Sequence, residues 1–569
     1  MHYLRFLCLA VLIGVPLATA QVQFSSSNLP VIVINTYGIT IPDEPKITAE
    51  MGIIDNGPGT RNSLTDPFND YDGFIGIEAR GSSSQMFPKK QYAVETRDSA
   101  GNDTDASLLG MPAESDWVLI AAYNDKSLLR DALMFGLVAS TGRYASRTRF
   151  CEVILNGEYQ GVYVLAEKIK RNKQRVNIAK ITEADTTGDA LTGGYIIKAD
   201  KVEGAQTAGW FSSFPPFYGA PYRVYYQFHY PTPENITPQQ AAYIKQYIWE
   251  LERTLISVDF ADTAVGYPHL FDVDSFVDFF LFSELSKNVD SYRLSAFMYK
   301  DKDSKGGRLV MGPMWDYTLA FGNCDFYDAS VVPGLQLTYL TSNTSFLYND
   351  MYPVPFWWKS LSNDVKFQEK LRTRWHELRQ DKLSLDAIYA RIDSLVALLS
   401  EGVPRNFDKW RILGVRVWGN VYVGNTYEEE IAYLKQWIAG RVAWLDGYFA
   451  VVSVDPPAGD PLTVTQFRLD QNYPNPFNPK TVVSCSVPPS AGRDLVSNGV
   501  RDGQWTVDSK VRLVVYDLLG REVAVLAEGR YPAGRYSFTF DGSGLASGIY
   551  FYRLTAGAFT EVRKMALVR

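Results

Sequence analysis

Cysteine and histidine are scarce in this chain, four of each among 569 residues. Cys8 falls in an N-terminal apolar stretch, which leaves Cys151, Cys324 and Cys485, an odd set that cannot form a disulfide-built scaffold. Cys151 and Cys324 fall in one predicted domain and are the pair that an oxidising compartment could join. The histidines, His2, His229, His269 and His376, cluster neither with one another nor with cysteine at zinc spacing, which argues against a zinc hydrolase or a His-based triad. Positive charge does not dominate: the net charge is −7, so no basic field suits nucleic acid as the main partner. No segment reaches the roughly 18 uninterrupted apolar residues of a membrane-spanning helix, so the mature chain is expected to lack one.

What is present begins at the first residue. Met1 to Arg5 is positively charged, Phe6 to Pro16 is apolar, and Ala18-Thr-Ala20 offers a small-residue cleavage site before Gln21. Residues 1–20 therefore read as a secretory signal peptide, too short in its apolar part to serve as an anchor. Hydrophobic content of 46% with 21% charged residues is ordinary for folded domains, and the length allows two or three of them. Aromatic content is high at 14% and suits a β-rich or surface-exposed protein.

Along the chain, residues 21–69 read as a strand and loop segment joined to the large domain that begins near residue 70. Phe74–Ala79 and Gln91–Thr96 read as a hairpin around the Gly/Ser loop Arg80-Gly-Ser-Ser-Ser-Gln85. Trp117–Ala122 reads as a strand and Ser127–Ala139 as a helix with Leu128, Leu129, Leu133 and Leu137 on one stripe. Phe150–Leu155 and Tyr159–Leu165 flank Asn156-Gly157, the strongest short hairpin signal. From Thr237-Pro238 onward, a helix cap, the pattern turns helical, with helices expected near 274–287, 363–379, 384–400 and 427–449. The fold class is α+β over residues 70–450: a β-rich N-terminal half, a helical C-terminal half, and a cleft between two lobes. Val454-Asp-Pro-Pro-Ala-Gly-Asp-Pro461 marks a Pro-rich linker at 451–465, and residues 466–569 read as a small all-β sandwich.

Two aspartates carry the chemistry. Asp290 follows the apolar run Phe276–Phe282, and Asp316 follows Leu309–Met311 and Gly312-Pro-Met-Trp. A carboxylate delivered to the end of a buried element can take a proton or hold a metal. Phosphoryl transfer uses one of each kind. The duller alternative is a pair of helix caps or turn residues. A glycoside hydrolase would also use paired acids, but no other sugar-site pattern accompanies them.

Five blocks in order resemble the spore-coat protein H (CotH) kinase family over roughly residues 70–450. They are Arg80-Gly-Ser-Ser-Ser-Gln85 with Pro88-Lys-Lys90; Tyr123-Asn-Asp-Lys-Ser-Leu-Leu-Arg130; Asn156–Tyr163 with Glu167-Lys-Ile169; Asn288-Val-Asp290; and Gly312–Tyr317 with Ala320-Phe-Gly-Asn323. The resemblance implies an atypical two-lobed kinase-like fold that transfers phosphate from ATP, with Mg²⁺ or Mn²⁺, to Ser or Thr of a protein substrate. It casts Asp290 as the catalytic base and Asp316 as a metal ligand, with Asn323 as a second. Arg80, Gly81, Ser82 and Ser83 would cover the phosphates, and Lys90, with Lys89 close behind, would pair with them. Glu167 and Lys168 would lie on the adenine side. Two positions depart from the family: Thr318 stands where many members carry a second acid, and Ser295 stands where ordinary kinases carry a metal-binding asparagine. These departures, with the aromatic richness, keep open a non-catalytic cell-surface or adhesion protein on the same fold.

The tail resembles the type A sorting domain of the type IX secretion system, on Asn472-Tyr-Pro-Asn-Pro-Phe-Asn-Pro479, Val515-Tyr-Asp-Leu-Leu-Gly-Arg521, Leu545–Tyr550 and Lys564. That implies handling by the secretion machinery and a place outside the cell or on its outer surface.

Overall fold

The computed structural model describes residues 22–201, 208–257, 259–450, 467–472, 474–488, 509–531, 534–557 and 559–568. The expected signal peptide and the Pro-rich linker lie outside the described residues. Two compact units divide between residues 451 and 452.

The first unit opens with seven strands: β1 (Val31–Asn35), β2 (Ile47–Ile54), β3 (Tyr71–Arg80), β4 (Gln91–Arg97), β5 (Asp116–Ile120), β6 (Thr148–Leu155) and β7 (Glu158–Glu167). They form a closed barrel in the order β1-β2-β3-β4-β5-β7-β6. Parallel pairing of β1 with β6, Val31 opposite Glu152, shuts the ring. Alternate residues fill the interior, among them Ile75, Ile77, Val94, Trp117, Leu119 and Leu165. The β6–β7 turn uses Asn156 and Gly157, both at positive φ (51° and 78°), the two-residue geometry that matches strand twist.

Helix α1 (Arg130–Ala139) starts three residues later than its apolar stripe suggests. Leu128 is left-handed (φ 61°), and the Asp125 carboxylate accepts the N–H groups of Ser127 and Arg130 at 3.0 and 2.9 Å. That local network replaces the first helical turn.

The helical half is not purely helical. It contains a five-stranded sheet, β8 (Tyr195–Ala199), β9 (Gly209–Phe211), β10 (Tyr225–Tyr230), β11 (Ala296–Lys300) and β12 (Leu309–Met311), in the order β9-β10-β8-β11-β12. Around it lie α2 (Pro238–Leu255), α3 (Val273–Ser286), α4 (Val365–Gln380), α5 (Leu385–Leu398), α6 (Gly402–Lys409) and α7 (Tyr427–Tyr448). Helix α2 begins on a complete capping box between Thr237 and Gln240. Helix α3 is buried from Ser275 to Ser286, and its Phe276, Phe279 and Phe280 pack on Trp358, Tyr292 and Phe367. Much of the aromatic excess is therefore core.

The second unit is the expected sandwich. Strands β13 (Arg468–Leu469), β14 (Lys480–Val487), β15 (Ser509–Tyr516), β16 (Glu522–Tyr531), β17 (Gly534–Asp541), β18 (Gly548–Ala556) and β19 (Phe559–Leu567) form antiparallel sheets ordered β13-β14-β17 and β16-β15-β18-β19. Both sheets send side chains, such as Val483, Phe540, Leu513 and Tyr552, into one core.

Cys151 and Cys324 do not pair. All three described cysteines are free and buried. Cys151 lies inside the barrel, whereas Cys324 packs with Val289 and Ala329 in a separate cluster.

Candidate active site

A solvent-open cleft with a cavity volume of about 110 Å³ lies between the barrel and the sheet-and-helix half of the first unit. Its barrel side is the β3–β4 connection. Arg80 ends β3, directly opposite Gln91. Gly81 follows at φ +95°, a backbone state that side chains rarely adopt, so the turn favours glycine. The loop is braced by Gln85, whose amide donates to the Gly81 carbonyl at 2.6 Å and to Asp43 at 2.7 Å. Ile120, Ala122, Phe87 and Tyr123 give the cleft an apolar wall.

The opposite side carries the two aspartates. Lys287 closes α3 in the left-handed region (φ 49°), and its ammonium group is tied to the carbonyls of Val331 and Pro333 at 2.6 and 3.0 Å. Three residues later Asp290 reaches the cleft, 21% of its side chain exposed, with Arg293 at 3.4 Å. Asp316 arrives from β12 through Gly312–Trp315 and is itself left-handed at φ 65°, a backbone state that aspartate tolerates better than most residues. Asn288 donates to the Asp316 carbonyl at 2.9 Å. Neither aspartate is a helix cap, but Asp290 does open a turn, its carbonyl accepting the N–H of Leu294 at 2.9 Å, so the duller reading holds for its backbone while its side chain faces the cleft.

Burial by the surrounding protein raises the Asp290 carboxyl above its ordinary value. Arg293 and Lys201 oppose the shift, while Asp200 and Asp350 add to it. Asp316 is raised to about 7, by desolvation first and then by Asp131, Asp290 and Asp200, with Arg80 opposing. Its side chain is nevertheless open to the cleft. The neighbouring acids are thus the firmer cause, because solvent on the open side weakens desolvation. Asp131 is raised to about 6 by desolvation, against hydrogen bonds from Tyr317 and Thr318.

Arg80, Gly81, Ser82, Ser83, Asp290 and Asp316 all line this cleft. Lys90 does not: its ammonium turns back to the Gln85 carbonyl at 2.5 Å. Lys89 lines the cleft instead, 2% exposed, bonded to the Val162 carbonyl and to Asn406 Oδ1 at 3.0 Å, and pushed down to about 7 by burial. Glu167 is fully buried away from the cleft, accepting from Arg147 at 2.8 Å and from its backbone N–H at 3.0 Å. Lys168 borders the outer, more polar part of the groove and pairs with Asp116 at 3.2 Å. Asn323 is not a lining residue but is held directly behind two that are, Asn124 and Thr318. Its amide donates to the Asn124 and Thr318 carbonyls, and its oxygen accepts from Asn420 at 2.8 Å. Ser295 borders the outer groove, its N–H on Asp200 at 3.3 Å.

The structure adds Lys89, Asp131, Asp200 and Lys201, which sequence reasoning did not single out as first choices. Asp131 directly follows the Tyr123–Arg130 block and reads there as an ordinary first-turn acid. Asp200 and Lys201 follow β8, a strand without a strong sequence signature.

Among the described residues no group of three or more His, Cys, Asp or Glu side chains is set to hold a metal alone. A hard divalent ion does not require one. Mg²⁺ keeps several waters and takes one or two carboxylates together with substrate phosphates. An acid such as Asp316, open to the cleft beside other acids, fits that donor set.

The profile described as CotH kinase protein matches residues 77–445, and that described as Secretion system C-terminal sorting domain matches residues 471–568. No curated protein matches the chain. The sorting domain marks the protein for the type IX secretion machinery and for export to the cell surface or the medium. Among the described residues no helix is long and apolar enough to cross a membrane. With the first match spanning most of the chain, from within β3 to the last turn of α7, this protein belongs to the CotH kinase protein family.

Proposed function

We propose that the protein is an exported atypical kinase that transfers the γ-phosphoryl group of ATP to a Ser or Thr hydroxyl of a protein. The observation that carries the reading is the meeting of Asp290 and Asp316, delivered by separate elements, in one cleft with the Arg80–Ser83 loop. The barrel then serves as the nucleotide-side lobe and the helical half as the acceptor-side lobe.

Asp290 accepts the proton of the incoming hydroxyl. Its raised carboxyl binds a proton more readily than an exposed aspartate, and Arg293 and Lys201 temper that rise. Asp316 would hold the divalent ion, and its left-handed backbone, tied to Asn288, fixes the direction of its carboxylate. The bound ion would offset charge on the phosphates. Arg80 and the main chain of Gly81–Ser83 face the phosphates, with Lys89 the lysine on that wall. The apolar patch of Ile120, Ala122 and Phe87 suits the nucleobase.

The test is incubation of the full chain with labelled ATP and Mg²⁺ or Mn²⁺, beside Asp290→Asn and Asp316→Asn. Incorporation in the wild type alone supports the reading, and equal incorporation in all three rejects it.

A further inference from the structure

Among the described residues Asp131 is a buried acid with no ion pair. It sits in the first turn of α1, 5% exposed, and lines the cleft with Asp290, Asp316 and Thr318. One carboxylate oxygen accepts the Tyr317 N–H at 2.7 Å, and the other accepts the Thr318 hydroxyl at 3.0 Å. Both donors are neutral. The neighbouring Arg130 is committed elsewhere, pairing with Asp125 and donating to the Ala320 carbonyl at 2.9 Å. Buried carboxylates are as a rule ion-paired or bound to metal, because removing a lone charge from water is costly.

The two donors are the residues immediately after Asp316. The same hydrogen bonds that orient Asp131 therefore lock it to the loop that presents Asp316. Building on the proposed kinase activity, we infer that Asp131 is a second carboxylate ligand, beside Asp316, for the divalent ion that accompanies the nucleotide. Thr318 is then a positioning residue: its hydroxyl points an oxygen of Asp131 rather than meeting the ion. The ion is a hard, oxygen-seeking cation such as Mg²⁺ or Mn²⁺ that shares its remaining positions with phosphate oxygens and water. The competing account is an acid that merely complements the helix N-terminus.

The experiment is titration of the full chain with Mn²⁺ in the presence of a non-hydrolysable ATP analogue, bound Mn²⁺ being read by electron paramagnetic resonance. Asp131→Asn keeps an oxygen for the Tyr317 N–H and removes only the charge. It is expected to weaken Mn²⁺ about 10- to 100-fold without lowering the melting temperature in metal-free buffer. Thr318→Val, which removes the orienting hydroxyl, is expected to weaken Mn²⁺ by a smaller factor, and adding Thr318→Asp to Asp131→Asn to restore much of the loss. Wild-type binding that is unchanged in whichever of the two single variants folds overturns the inference and leaves the kinase reading standing. A wild type that takes up neither Mn²⁺ nor the nucleotide analogue overturns both.

Discussion

The side-chain amide of Asn288 donates to the main-chain oxygen of Asp316 at 2.9 Å, so a hydrogen bond ties the loop that carries one acid to the residue that is the other. Asn288 is 3% exposed, which shields the bond from water. Asn288→Ala is expected to lower kcat about 10- to 100-fold while changing nucleotide affinity little, since it disturbs placement and not charge. Steady-state kinetics beside a nucleotide titration checks this.

The two adjacent lysines should separate cleanly. Lys89→Met removes the buried amine on the cleft wall and takes a donor from the Val162 carbonyl and from Asn406 Oδ1, which keeps only the Val162 N–H at 3.2 Å, costing about 1–3 kcal/mol of stability and weakening nucleotide binding. Lys90→Met loses only a bond to the Gln85 carbonyl and should leave affinity unchanged. Calorimetric titration with ATP and Mn²⁺ distinguishes them.

A pH effect on stability is expected at Glu252, away from the cleft. Its carboxyl is 2% exposed, accepts from Ser212 at 2.8 Å and Tyr226 at 3.1 Å, and is raised to about 7, chiefly by desolvation. The folded value lies above the unfolded one. The stabilising contribution is thus complete below the unfolded value of about 4.3 and lost as pH climbs through 7. Glu252→Gln should be more stable than the wild type at pH 8, by up to about 3 kcal/mol, and gain nothing at pH 4. Denaturant melts at the two pH values check the sign.

Arg441 and Glu284 form a fully buried ion pair at 3.0 Å, and Glu284 also accepts the N–H groups of Gln336 and Leu337. Replacing Arg441 by Met leaves that carboxylate unmatched. A loss of about 3–5 kcal/mol is expected, with α3 the element most exposed to the damage. Chemical denaturation measures the loss.

Deleting residues 467–569 removes the sorting domain and leaves the first compact unit whole. The shortened chain should melt at the same temperature for the first unit yet stay inside the producing cell's envelope. Calorimetry and cell fractionation report the two outcomes.

Much of the architecture was legible locally. Helices α3, α4, α5 and α7 fall within two residues of the ranges expected for them, α7 on its apolar spacing, and the Asn156-Gly157 hairpin was readable from its turn residues, because each signal lies within a few positions of its effect. Barrel closure was not, since β1 finds β6 more than a hundred residues away and no short pattern records that pairing. In the cleft, Asp290, Asp316 and the Arg80–Ser83 loop stand at element ends where their neighbours betray them. Lys89 and Lys90 are adjacent and chemically identical and lie in a bend just before β4, where no strand or helix period tells the two directions apart, and only the fold says which turns inward. Glu167 and Asn323 looked like site residues because they carry the right atoms. The structure spends those atoms on Arg147 and Asn420.

The ring of strands has a consequence for how the chain is made. Its seam joins the first strand to the sixth, so a nascent or clipped product ending before Thr148 keeps two raw sheet margins, each able to zip onto a neighbouring molecule. Between synthesis and export, the hazard falls on a half-built cylinder rather than on the finished one, and a chaperone that shelters roughly the first 150 residues would do the most good.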